Sequence, residues 1–314
     1  MMIHTSKNLC KLPAGTVVKG KWHRHSYKIV KSLGQGANGV VYLAQGGTGL
    51  VALKISDNSS AIISEVNVLR RFSEVQGVAL GPCLLDVDDW FHPYINRTVS
   101  FYVMEYIKGE DFLSFIHKKG KEWIAILMLQ LLGDLEKLHA AGWVFGDLKP
   151  ENLIVSGSVP RVRLVDVGGT TLRGRAIKEF TEFFDRGYWG MGSRKAEPSY
   201  DLFAVAMIMI NACYPNRFEK KGNEKEQLRA AILSNSYLKK YEKVLLRAIE
   251  GQYDAADEMK KDLIQLIHQS SSRQGKRVEN KQKHSRKKKR LLETAFLVIF
   301  VLFAYILYLY AQIL

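Results

Sequence analysis

The sequence predicts an α+β fold built as two lobes, a small β-rich half followed by a larger helical half, with a cleft between them. Three observations predict it. Short β-branched and aromatic runs separated by glycines fill the stretch up to Ile107. Longer runs with helical apolar spacing follow Asp111. The composition, 47% hydrophobic and 25% charged over 314 residues, is ordinary for a globular protein and makes order the default expectation.

The strand-like half begins at about His25. Tyr27-Lys28-Ile29-Val30, Val40-Val41-Tyr42-Leu43 and Val51-Ala52-Leu53-Lys54-Ile55 read as strands. A helix interrupts the pattern at roughly Ala61 to Phe72, with Ile62, Val66 and Leu69 on one face. The helical half reads as Trp123 to His139, Leu202 to Ala212, Glu224 to Leu233, Tyr237 to Ile249 and Ala255 to Ile267. The expected divisions are an N-terminal segment (1–24), a small lobe (25–107), a large lobe (108–267), a linker (268–290) and a terminal segment (291–314).

Cys10, Cys83 and Cys213 are odd in number and form no CxxC pair or Cys/His cluster, which speaks against a disulfide framework or a zinc site. Reduced thiols in a cytosolic domain are expected. Met1 to Leu12 hold no apolar run, so a signal peptide is not expected.

The net charge of +15 is concentrated. Residues 268–290 carry ten Lys/Arg and one acidic residue, or +9; Glu293 adds −1, which leaves +7 for residues 1–267. Gln269 to Arg290 is Ser-rich and then basic, a composition that predicts disorder. From Thr294 to Leu314 no side chain is charged. At 1.5 Å per residue, ~20 such residues span ~30 Å, the hydrocarbon thickness of a bilayer. The expectation is one C-terminal transmembrane helix, a single-pass anchor in the cell membrane. Arg286 to Arg290 put the folded domain on the cytoplasmic side, and Tyr305, Tyr308 and Tyr310 fall towards the far interface.

The chemistry-bearing residues begin with Gly34-Gln35-Gly36-Ala37-Asn38-Gly39-Val40-Val41, which falls between two predicted strands. A GxGxxG alone also suits a plain glycine-rich hairpin. Its strand-loop-strand position, where a dinucleotide site would have strand then helix, suits a flap over phosphates whose glycines let backbone amides approach. Lys54 follows on the third strand and Glu65 eleven residues later on the helix, a spacing that lets them pair and hold the ammonium against the α- and β-phosphates of ATP. In Phe145-Gly146-Asp147-Leu148-Lys149-Pro150-Glu151-Asn152, Asp147 suits acceptance of a hydroxyl proton, Lys149 neutralisation of the transferred phosphoryl group, and Asn152 magnesium binding. Asp166-Val167-Gly168 follows the apolar run Val162 to Val165, with Asp166 placed to hold the metal.

On these motifs the chain resembles the Hanks-type serine/threonine protein kinases over roughly residues 25–267. In its plan (kinase domain, basic linker, C-terminal span) it resembles the YabT-type kinases of spore-forming bacilli. The resemblance implies the bilobal protein-kinase fold, ATP with Mg2+ (or Mn2+), protein substrates phosphorylated on Ser/Thr, an association with sporulation, and DNA as a partner. It further implies that Met104-Glu105-Tyr106-Ile107 is the hinge reading adenine through its backbone. Asp111 would reach the ribose, and Asp201 would brace the catalytic loop.

The departures are specific. Phe145-Gly146-Asp147 stands for the family's His-Arg-Asp, and Asp166-Val167-Gly168 for Asp-Phe-Gly. The large ring has moved to Phe145 and the small side chain to Val167, a swap expected to conserve the volume of an apolar column. Gly146 removes the arginine that clamps a phosphorylated activation loop, although Thr170, Thr171 and Thr181 remain as autophosphorylation candidates. Ala-Pro-Glu and its arginine partner are both absent. Two other readings keep the fold and change the function: a small-molecule kinase, since Phe-Gly-Asp is similar to the His-Gly-Asp of aminoglycoside and sugar kinases, and a pseudokinase scaffold. In the linker, Lys287, Lys288, Lys289 and Arg290 suit an anionic membrane surface. Lys276, Arg277, Lys281, Lys283 and Arg286 suit either that surface or DNA phosphates, and Lys19, Lys21, Arg24 and Lys28 around Trp22 form a second basic group. Several chains on one duplex would favour self-association and autophosphorylation in trans.

Overall fold

The structure, a computed structural model, describes residues 11–36, 38–74, 81–93, 96–269 and residue 296. The chain divides into two compact units, Met1–Leu263 and Ile264–Leu314. Among the described residues no helix is long and apolar enough to cross a membrane. The predicted anchor, Phe296 excepted, and the linker from residue 270 onward lie outside the described residues.

The small lobe is a six-stranded antiparallel sheet in the order β1-β2-β3-β4-β6-β5. Its strands are β1 (Val17–Lys19), β2 (Ser26–Gly36), β3 (Gly39–Gly46), β4 (Gly49–Ser56), β5 (Leu84–His92) and β6 (Arg97–Glu105). Alternation decides which face each side chain takes. Val51, Leu53 and Ile55 of β4 join Val18, Tyr27, Ile29, Tyr42, Trp90 and Phe101 in one core, which leaves Lys54 on the opposite face. The helix α1 (Ser59–Glu74) packs on β4, β5 and β6 and buries Ile62, Val66, Leu69 and Phe72.

The expected start of this lobe at residue 25 is too late. β1 pairs with β2, Val18 is fully buried, and the Leu12 amide donates to the Tyr42 hydroxyl at 2.7 Å. A three-residue strand is too short to show a period, which is why the sequence hid it.

The large lobe begins with β7 (Gly109–Asp111), α2 (Phe112–Lys119) and α3 (Glu122–Ala140). A short pair joins β8 (Trp143–Val144) to β11 (Thr171–Leu172), and β9 (Leu153–Ser156) lies between β7 and β10 (Arg161–Leu164). Then come α4 (Pro198–Cys213), α5 (Glu224–Ser234) and α6 (Glu242–Ile249), and residues 256–269 are helical. Every residue of α4 from Tyr200 to Ala212 is buried, as befits a helix apolar on all sides that packs against both α3 and α6. It starts four residues before the predicted Leu202 because Pro198 is preorganised for the first turn. The predicted helix from Tyr237 is two elements, a 3-10 turn (Leu238–Tyr241) followed by α6.

Candidate active site

The glycine hairpin forms as a strand-loop-strand turn, with Gly34 opposite Val41, Gln35 opposite Val40 and Gly36 opposite Gly39. Gly39 has no substitute: its φ is +130°, and a Cβ there would lie 2.4 Å from the Ile55 carbonyl oxygen. Gly34 and Gly36 have open space where a Cβ would stand.

Beneath the hairpin, Lys54 Nζ lies 2.6 Å from Glu65 Oε2 and 3.9 Å from Asp166 Oδ1. Lys54 and Glu65 are both buried, and the Tyr102 hydroxyl donates to the same Glu65 oxygen at 2.7 Å. Burial and the Glu65 carboxylate hold the Tyr102 phenol well above its ordinary pKa, so it remains a donor. Glu65 Oε1 is buried without a hydrogen-bond partner among the described residues.

Across the cleft, Asp147 Oδ2 accepts from Lys149 Nζ at 2.5 Å, and Thr181 Oγ1 bridges the pair, donating to Asp147 Oδ1 at 3.0 Å and accepting from Lys149 at 3.1 Å. Asn152 Nδ2 donates to the Asp147 carbonyl at 2.8 Å, which leaves its Oδ1 as the oxygen available to a metal. Asp166 is half-exposed, with one oxygen accepting the Gly168 amide at 3.0 Å. An amide oxygen and a carboxylate are hard donors that fit Mg2+ or Mn2+.

Asp201, fully buried in the first turn of α4, holds this loop by its backbone: Phe145 N and Gly146 N donate to its two oxygens at 2.8 and 2.9 Å, and His139 Nε2 lies 2.9 Å away. Gly146 has φ +84°, and a Cβ there would meet the Gly169 carbonyl at 2.8 Å. The same bend that presents Asp147 thus favours glycine over the family's arginine.

The protein kinase domain family matches residues 27–285. The chain belongs to the protein kinase family. The kinase is 57% identical to the serine/threonine-protein kinase YabT of Bacillus subtilis over 84% of this chain and 78% of that one. It is 23% identical to the probable serine/threonine-protein kinase YbdM of the same organism over 77% and 90% of the two chains. The solved structure of vaccinia related kinase 3 superposes with a TM-score of 0.59 at 17% identity, over 83% of this chain and 92% of that chain, a likeness of fold.

Other sequence-predicted residues of the kinase fall as follows. Glu105 ends β6 at the hinge, and its carboxylate takes a fork from Arg163 (2.9 and 3.0 Å), which holds it below the ordinary carboxylate range. Ile107 follows, half-buried. Asp111 caps α2, with Oδ1 accepting the Ser114 amide at 2.9 Å. Thr170 and Thr171 are both buried, the second in β11, because the segment packs its start against β8. They are not presented as phosphoacceptors in this conformation. Thr181 is placed at Asp147, with its hydroxyl already engaged there.

Motif reading missed Glu179, which accepts from Asn38 of the glycine hairpin. Asp185 was missed as well. It is fully buried and accepts from Gly187 N, Tyr188 N, Arg194 and the Tyr200 hydroxyl. The lost Ala-Pro-Glu ion pair therefore has a local replacement, Arg194 to Asp185 at 2.6 Å. Nothing in the spacing of Asp185 and Arg194 marks them as partners; only the folded loop does.

Proposed function

We propose that this kinase transfers the γ-phosphoryl group of ATP to serine and threonine hydroxyls of proteins, itself included. The observation that carries the reading is Lys54 seated between Glu65 and Asp166 while Asp147, Lys149 and Asn152 gather on one loop facing them. The substrate hydroxyl oxygen bonds to the γ-phosphorus as the bond to the β–γ bridging oxygen breaks and ADP leaves. Asp147 accepts the hydroxyl proton, and Lys149 offsets charge on the group in transit. Lys54, fixed by Glu65, meets the α- and β-phosphates under the Gly34–Val41 hairpin. The hinge backbone at Glu105 and Ile107 reads adenine, and Asp111, through the oxygen its cap leaves over, reads the ribose. Asn152 and Asp166 would hold Mg2+ or Mn2+, which when bound would supply positive charge to offset that of the phosphates.

Transfer of label from γ-labelled ATP tests this, with Asp147→Asn as control. Label on serine or threonine of the chain or of added protein supports it. Label only on small hydroxyl compounds would establish the small-molecule kinase, and no transfer at all the scaffold.

The finer reading is a kinase tethered to the cell membrane by residues 291–314, its catalytic domain in the cytoplasm. The uncharged run from Thr294 and the basic residues before it support this reading. Basic residues 276–290 serve DNA as well as anionic headgroups, and DNA would gather chains for phosphorylation in trans. Phosphorylation by full-length protein in vesicles, with and without DNA, tests this. Stimulation should fade with salt and vanish when Lys276, Arg277, Lys281, Lys283 and Arg286 become alanine; stimulation indifferent to both would overturn the DNA role.

A further inference from the structure

A second constellation lies on residues the cleft does not use. Between β1 and β2 the chain turns through Arg24, whose φ of +62° is a left-handed value that non-glycine residues seldom adopt. The turn delivers two imidazoles to one carboxylate. His23 Nδ1 lies 2.6 Å from Asp86 Oδ1, and His25 Nδ1 lies 2.9 Å from Asp86 Oδ2. The Tyr27 hydroxyl donates to Oδ2 at 2.7 Å, and the Val87 amide to Oδ1 at 2.9 Å. The donor atoms of His23, His25 and Asp86 all lie within 4.8 Å of one another.

The cations of this segment, Lys19, Lys21, Arg24 and Lys28, do not pair with its two buried carboxylates. Asp86 is 8% exposed, and Asp88, on the same face of β5, is 4% exposed and accepts the amides of Trp22 and His23. Among the described residues neither carboxylate has a lysine or arginine ion pair. Buried carboxylates call for a positive partner.

We propose that His23, His25 and Asp86 bind one divalent transition-metal ion of the zinc class. Two imidazole nitrogens and a carboxylate oxygen select such an ion over Mg2+, which prefers oxygen alone. At bonds of about 2.0–2.1 Å, tetrahedral ligands stand about 3.3 Å apart. The contacts at 2.6 and 2.9 Å must open and the wider separations, within 4.8 Å, must close. Both histidines are more than half exposed, so their rings can turn while the Trp22 and His23 amides stay bonded to Asp88. Each imidazole would ligate through Nδ1 and carry its proton on Nε2, facing water. The ion would cross-link the segment before β2 to β5 and so lock the outer side of the small lobe.

Full-length protein in detergent, with excess Mg2+ to occupy the cleft, is titrated with Co2+ and then Zn2+. One equivalent of Co2+ should produce the visible absorption of a nitrogen-ligated, low-coordinate site, and Zn2+ should bleach it and raise Tm. The double variant His23→Gln, His25→Gln should lose the band and the Tm rise while keeping Mg2+-dependent phosphorylation and its metal-free Tm. Asp166→Asn should keep the band. Absence of the band from the wild type would overturn the proposal and leave a network of protons alone. Persistence in the double variant, or loss in Asp166→Asn, would place the ion elsewhere and overturn it equally.

Discussion

The side-chain amide of Asn38, in the glycine hairpin, donates to the carboxylate of Glu179, thirteen residues beyond Asp166. This bond joins the flap of the small lobe to the activation segment of the large one. In the proposed site it also sets a carboxylate near the triphosphate, beside Asp166, Lys54 and Asp147. Burial first, and then the Asp166 carboxylate, push the Glu179 carboxyl above its ordinary 4.5, with Lys54 opposing and Asp147 and Glu65 adding.

Glu179→Gln should therefore tighten ATP. The glutamine retains an oxygen for Asn38 and loses the charge, and relief of about 1 kcal/mol would lower the KM for ATP about fivefold. Because the folded pKa is raised, Glu179 stabilises the fold fully below 4.5, and that contribution is lost as pH rises through the raised value. Above that value it is ionised and opposes the phosphates. Lowering the pH towards 4.5 should thus narrow the gap in KM between wild type and the Gln variant; initial rates of both against ATP concentration at several pH values check it. A KM that rises in the variant would mean the carboxylate helps binding.

Thr181 should act as a positioning residue. Its hydroxyl bonds both Asp147 and Lys149, so Thr181→Val should lower kcat about tenfold with little change in the KM for ATP, and Thr181→Ser should restore it. Asp147→Asn should cost 10^2-fold or more in kcat, about 10^2 to 10^4, with Tm preserved. Steady-state kinetics beside thermal melts separate the two effects.

The Asp185–Arg194 pair should matter for stability more than for chemistry. Asp185→Ala removes the acceptor of four donors in a buried loop and should cost about 3 kcal/mol. Arg194→Ala should cost less, since Arg194 is 44% exposed and Asp185 keeps its amide and tyrosine donors. The double variant should fall short of the sum. Denaturant titration measures all three.

Phe145 is fully buried and Val167 nearly so, as the swapped column requires. Phe145→Ala should cost about 3–5 kcal/mol. Val167→Phe should overpack, because Val167 Cγ1 is 3.3 Å from the point where a Cβ on Gly81 would stand, beside Phe72. Combining Val167→Phe with Phe145→His should recover part of that loss, read as Tm. An unchanged Tm in Phe145→Ala would end the column argument.

Much of the site was legible because chemistry constrains it locally. Lys54, Asp147, Lys149, Asn152 and Asp166 stand out by type, order and spacing, and the fold brings them together. The long helices α3 and α4 were legible through apolar period. β1 and the 3-10 turn before α6 were not, being too short for a period to show. Thr170 and Thr171 looked available because a linear chain carries no burial.

The sequence by itself determined the two-lobed architecture, the candidate residues for phosphate binding and proton acceptance, and the absence of the family's arginine at Gly146. Tertiary structure alone decided that Asp185 takes Arg194 and Tyr200, that Glu179 reaches Asn38, and that His23 and His25 meet on Asp86. These partners lie 9 to 141 residues apart, with no motif linking them. Their pairing follows from where packing brings the backbones, and burial, which strengthens each such contact, does not exist until the chain has closed.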